Sequence, residues 1–173
     1  MIDASIRTYL SGKVSSLNFK ALLELMESTG IEYRDRKLRG PVGIATYYCI
    51  YLDLERLMQA HDKLLFFVIV HEIAHFKRIM KIGGKDGIIK LMSVDELDTF
   101  CENVFNEEIF ADRYACYVYW LLNKDIYPRE NTQELHLPYN QKAYRVGARH
   151  LFGVVQNNEE NYKRLLESFV YEV

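Results

Sequence analysis

Seven consecutive apolar residues, Leu64, Leu65, Phe66, Phe67, Val68, Ile69 and Val70, run directly into His71 and Glu72, and this juxtaposition constrains the chain more than any other feature. The run is far short of the ~20 apolar residues that span a bilayer. Asp62 stands where a helix N-cap belongs, and Lys77, Arg78 and Lys81 suit the negative end of a helix dipole, so the spacing predicts a helix over 63–80. Its first two turns are apolar all round, which places it at the centre of a domain, covered on every side. With 49% apolar residues, 27% charged residues and only three prolines in 173, the chain has the composition to build that cover. No linker, repeat or low-complexity tract divides it, and a single domain over 1–173 is expected.

The remaining elements are read in the same way. Leu17, Ala21, Leu22, Leu25 and Met26 recur at helical spacing within 16–28, and Gly30 offers a stop. A basic loop is expected over 34–43. The Tyr- and Ile-rich segment 46–52 reads as a strand, followed by a short helical turn through Leu57. Gly83, Gly84 and Gly87 argue for a loop or short hairpin over 81–92. Ser93 and Glu96 then match a capping box at the head of a long helical pattern that reaches Leu122. The segment 124–140 is expected to be irregular, with two further helices over 141–155 and 159–171. The fold class is α+β, mainly helical, with a small mixed or antiparallel sheet beside the central helix.

Inside that helix, His71, Glu72, Ile73, Ala74 and His75 spell HExxH. Residues four apart share a helix face, so both imidazoles can reach one metal ion, and Glu72 is placed to contact a water beside it. A chain of this composition produces the pattern by chance about 0.01 times. The alternative is a buried helix whose histidines are merely hydrogen-bonded.

Catalytic zinc usually takes three protein ligands, so a third should be visible. On the long second helix, Leu97, Cys101, Val104, Glu108, Ala111, Ala115 and Leu122 fall on one stripe, with Glu108 in the middle of an otherwise apolar face. A carboxylate there needs a partner, and a metal would be one. Asp112, one turn on, is placed to accept a hydrogen bond from a liganding histidine and set its tautomer. The small Ala111 and Ala115 allow close approach of the two helices. Glu107 points about 100° away, and His136 and His150 are rival third ligands. On a solvated face, Glu108 and Asp112 would instead pair with Arg113 or Lys124. For stabilising an oxyanion, Tyr114, His136, Tyr139, Tyr144, Arg149 and His150 are all available, and the sequence does not choose among them.

HExxH in an apolar helix, followed 33 residues after His75 by Glu108-Ile109-Phe110-Ala111-Asp112-Arg113-Tyr114-Ala115, resembles the gluzincin arrangement of two histidines and a glutamate. More narrowly, the chain is similar to the ImmA/IrrE family of small bacterial and phage metallopeptidases, whose second motif is ExxA(N/D)xxA. The Tyr-rich strand ending at Leu52 and Asp53 also stands where that family places a strand before its active-site helix. The resemblance spans roughly 43–122. It implies a zincin-like domain in which His71, His75 and Glu108 bind Zn2+, Glu72 is the general base and Asp112 supports a ligand. It further implies an endopeptidase that cleaves a transcriptional repressor of a mobile element or stress response. No segment ahead of the strand has the length of a fused helix-turn-helix domain, so the repressor is expected to be a separate protein.

A net charge of −2 supplies no general attraction to nucleic acid or anionic membranes, and neither is expected as a partner. The run Arg34, Asp35, Arg36, Lys37, Leu38, Arg39 is a local exception that could hold an acidic partner or nucleic acid, the alternative being a solvated loop. Three widely spaced cysteines, Cys49, Cys101 and Cys116, fit neither a disulfide framework nor a CxxC motif. With no signal-peptide pattern at the N-terminus, a cytoplasmic location is expected. The competing reading is a non-catalytic binding protein or toxin-antitoxin component braced by the same metal. A zinc hydrolase of small non-peptide substrates is a third. Loss of zinc is expected as pH falls below about 6, because ligation needs neutral imidazoles.

Overall fold

The central helix forms as predicted and organises everything around it. A computed structural model of the chain describes residues 1–92 and 97–124. The element order is α1 (Ala4–Ser11), α2 (Phe19–Ser28), β1 (Glu32–Asp35), β2 (Gly43–Ala45), β3 (Cys49–Leu52), α3 (Leu54–Leu57), α4 (Asp62–Lys81), α5 (Gly84–Met92) and α6 (Leu97–Asn123). These elements make a mainly helical α+β fold with one small mixed sheet. In α4, Leu65, Phe66, Phe67, Val68, Ile69 and Val70 are all buried, packed within a core shared with α1, α2, the sheet and α6. Each such side chain contributes roughly 1.5–3 kcal/mol of burial free energy, which is why the all-round apolar stretch becomes the axis of the fold.

The cap of α4 lies one residue earlier than the sequence suggests. His61 accepts the Leu64 N–H through Nδ1 at 3.2 Å. Asp62 opens the helix, and its carboxylate takes Lys13 Nζ at 2.6 Å and Ser16 Oγ at 2.8 Å. It still favours the positive end of the dipole while tying the loop after α1 to the central helix.

The sheet has the order β1-β3-β2, with β1 parallel to β3 and β2 antiparallel to it. The strand expected over 46–52 is thus confined to Cys49–Leu52 and lies in the middle. Its four residues are buried, consistent with apolar character on both faces. Thr46 instead holds the turn from β2, its Oγ1 accepting the Cys49 N–H at 2.9 Å and donating to the Cys49 carbonyl at 2.8 Å.

The basic loop expected from residue 34 begins later, because Arg34 and Asp35 belong to β1. Arg34 Nε pairs with Glu32 at 2.9 Å and Lys37 Nζ with Glu55 at 3.3 Å, so part of the run's charge is met within the fold. Arg56 donates to the carbonyls of Gly40 and Pro41 at 3.0 Å each and pins the loop that leads into β2.

Residues 84–92 form a helix and not the expected loop or hairpin. Of the three glycines in this segment, only Gly83 and Gly84 adopt positive φ (109° and 65°), reversing the chain after α4. Such φ values strain any residue with a Cβ, so the glycines mark the turn while Gly87 continues inside α5. The long helix is present as Leu97–Asn123. Ser93 to Glu96, and the calls over 124–140, 141–155 and 159–171 beyond Lys124, lie outside the described residues. No helix among the described residues is long and apolar enough to cross a membrane. Cys49 and Cys116 are free thiols.

Candidate metal centre

The packing of α4 against α6 creates the site. Ala111 and Ala115 are fully buried at this contact, and their small side chains bring α6 close enough for its carboxylates to reach histidines on α4. His71 Nε2 lies 3.2 Å from Glu108 Oε2, and His75 Nε2 lies 3.2 Å from Glu108 Oε1. The two Nε2 atoms are 2.9 Å apart. Two residues from one helix turn and a third from a helix distant in sequence thus converge on one point.

The donor set fits a divalent metal. Bonds of 2.0–2.1 Å to tetrahedral zinc put neighbouring ligand atoms about 3.3 Å apart, and the three observed separations are 2.9, 3.2 and 3.2 Å. On the far side of the His71 ring, Nδ1 lies 2.9 Å from Asp112 Oδ1, with both side chains buried. Donation from Nδ1 to Asp112 leaves the Nε2 lone pair facing the cluster, the tautomer a ligand requires. Asp112→Ala is expected to weaken zinc binding about 10- to 100-fold. Competition against a chromophoric chelator measures this, and unchanged affinity would remove Asp112 from the site.

Electrostatics agree with the geometry. Burial opposes charge on His71, but the hydrogen bonds to Asp112 and Glu108, with the nearby Glu72 carboxylate, outweigh it and lift its pKa to about 10 in the metal-free chain. Burial also works against the Glu108 carboxylate, yet His75 and His71 hold its pKa well below the usual range. A folded pKa raised above the unfolded value of about 6.5 stabilises the fold fully below that pH, and the benefit is lost as pH rises through about 10. The metal-free protein should therefore resist urea progressively less between pH 6.5 and 10. A flat midpoint across that window would show that His71 is neutral in the fold. Binding a metal near pH 7 must also displace the His71 proton, so proton release should accompany titration with zinc.

Glu72 stands apart from the three-donor cluster. It is buried, and its carboxylate lies near the backbone of Ala45 in β2. Burial raises its pKa against the lowering effect of His71 and His75, which makes it a better proton acceptor than an exposed glutamate.

The other sequence candidates separate clearly. Glu107 is turned away, its carboxylate 3.0 and 3.3 Å from Arg78 Nε. Glu108 and Asp112 meet histidines and not Arg113 or Lys124. The Tyr114 hydroxyl accepts from Lys77 Nζ at 2.8 Å, which occupies it away from the cluster. His136, Tyr139, Tyr144, Arg149 and His150 lie outside the described residues.

The part that β2 plays was not legible, because Gly43 ends the basic loop in the sequence pattern and Ala45 carries no chemistry in its side chain. β2 is an edge strand with no partner on its outer side among the described residues. Its bonds run from Asp53 N to Val42 O and from Thr46 N to Cys49 O. By the antiparallel alternation, Gly43 and Ala45 turn their own N–H and C=O groups to the open edge. The strand expected over 46–52 is therefore the central one, and β2 takes the edge. The chain matches no family model, curated protein or solved structure at a level that would indicate a relative.

Proposed function

We propose that this protein is a zinc-dependent endopeptidase with a zincin-like fold, akin to the ImmA/IrrE family, that cleaves a separate regulatory protein. The observation that carries the reading is the position of Glu72, a buried carboxylate next to two histidines and outside the three-donor set. A metal that only braced α4 against α6 would be closed by protein ligands and would leave such a group without a task. His71, His75 and Glu108 would hold the ion. When bound, zinc supplies Lewis acidity, polarising a scissile carbonyl and lowering the pKa of water toward about 7.

Glu72 takes a proton from the attacking water as its oxygen bonds to the carbonyl carbon. It then delivers that proton to the leaving amine as the C–N bond breaks. The edge of β2, unpaired among the described residues, suits an extended peptide, recognised through backbone hydrogen bonds with little demand on its side chains. A transcriptional repressor as the substrate follows from the family resemblance.

The test is to load the purified chain with one equivalent of zinc and incubate it with repressor proteins encoded nearby. One discrete cut, abolished by a chelator and restored by zinc, is the expected result. Absence of zinc binding after reconstitution would leave a helical binding protein and remove the peptidase reading.

A further inference from the structure

Gly43 is an anomaly in β2. A glycine inside a strand sacrifices packing and chain entropy, and is retained where φ must be positive or where another group approaches closely. Gly43 is not among the glycines with positive φ, so its backbone makes no demand for glycine. The approach is the reason. A Cβ built at this position would lie 2.8 Å from Cγ, 3.0 Å from Oε1 and 3.1 Å from Cδ of Glu72, with no other atom among its three nearest. Separations under 3 Å require something to move. The group that would move is the Glu72 side chain, whose atoms are the three nearest.

We infer that Gly43 is a positioning residue for Glu72: its missing side chain is the space in which the carboxylate is seated. β2 thus acts on Glu72 through the room that its backbone leaves at Gly43. The role of Glu72 as base belongs to the proposed function, on which this inference rests for its catalytic consequence. The steric relation between positions 43 and 72 does not depend on it.

The experiment is a double-mutant cycle on the full chain as purified, with Gly43→Ala, Glu72→Ala and the pair. At an extended position without a clash, Gly→Ala stabilises by restricting the unfolded chain, a Tm gain of about 1–4 °C for a protein of this size. The expected result is a sign reversal. Gly43→Ala lowers Tm when Glu72 is present and raises it when residue 72 is alanine. In the zinc-loaded protein, Gly43→Ala keeps one metal per chain and the same KM while kcat falls about 100-fold, the cost of misplacing a reacting group by ~1 Å.

Equal Tm shifts in both backgrounds would overturn the inference whatever the activity. So would a clear thermal coupling with kcat unaltered. Thermal coupling in a chain whose wild type loads zinc but hydrolyses nothing would uphold the seating of Glu72 and overturn the peptidase reading instead.

Discussion

Glu108→Ala is expected to remove stoichiometric zinc from the purified protein. The substitution takes away the one donor that α6 contributes, whose two oxygens lie 3.2 Å from His71 Nε2 and from His75 Nε2. Two imidazoles on a single helix turn remain, with no third ligand among the described residues to complete the set. Loss of a merely supporting residue costs about 10- to 100-fold in metal affinity, and loss of a ligand should exceed that range. Glu107→Ala is the internal control. It breaks the Arg78 pair on the neighbouring face and should leave one zinc per chain. Elemental analysis of the wild type and both variants, purified side by side, decides the matter, and full occupancy in Glu108→Ala would move the third ligand elsewhere.

Glu72→Gln is the second expected result of large effect, and it separates catalysis from binding. The amide is nearly isosteric, so the seat beside Gly43 is kept. It cannot take a proton from water at neutral pH. Zinc should remain at one per chain while hydrolysis falls about 10²- to 10⁴-fold, the usual contribution of a positioned general base. Metal analysis and a cleavage assay on the same preparation read both quantities. Undiminished cleavage would assign the proton transfer to another group, and loss of zinc would make Glu72 part of the ligand set.

These variants act at one helix contact, and the sequence marked that contact in advance for identifiable reasons. The i, i+4 spacing of His71 and His75 is a property of helix geometry, readable without a tertiary structure. Glu108 and Asp112 stood out because charged groups on an apolar stripe must be satisfied when that stripe is buried. The structure brings both to the histidines, with Asp112 on the Nδ1 of His71. The same reasoning set Glu107 aside, and it pairs with Arg78.

Where the reading departed from the structure, the cause was local chemistry that has two solutions. Glycines at 83, 84 and 87 can interrupt a chain or sit within a helix, and only the first two reverse it. Asp62 and the neighbouring His61 can both cap a helix, and Lys13 and Ser16 draw the aspartate away. Four-residue β1 and three-residue β2 are too short to show a period, and each overlaps one end of the expected basic loop over 34–43. Helix α1 likewise escaped notice, although Ile6 and Leu10 bury one side of it.

The sequence by itself determined the central helix, its two histidines and Glu72, and the carboxylates able to meet them, because helical periodicity and the cost of burying charge are local rules. Only the tertiary structure decided that β2 is the edge strand of the described sheet and lies beside Glu72, and that Gly43 leaves room for its carboxylate. Those features are backbone groups of small residues. Their chemistry depends on what is packed against them, and the partner lies on a helix that begins seventeen residues after the strand ends.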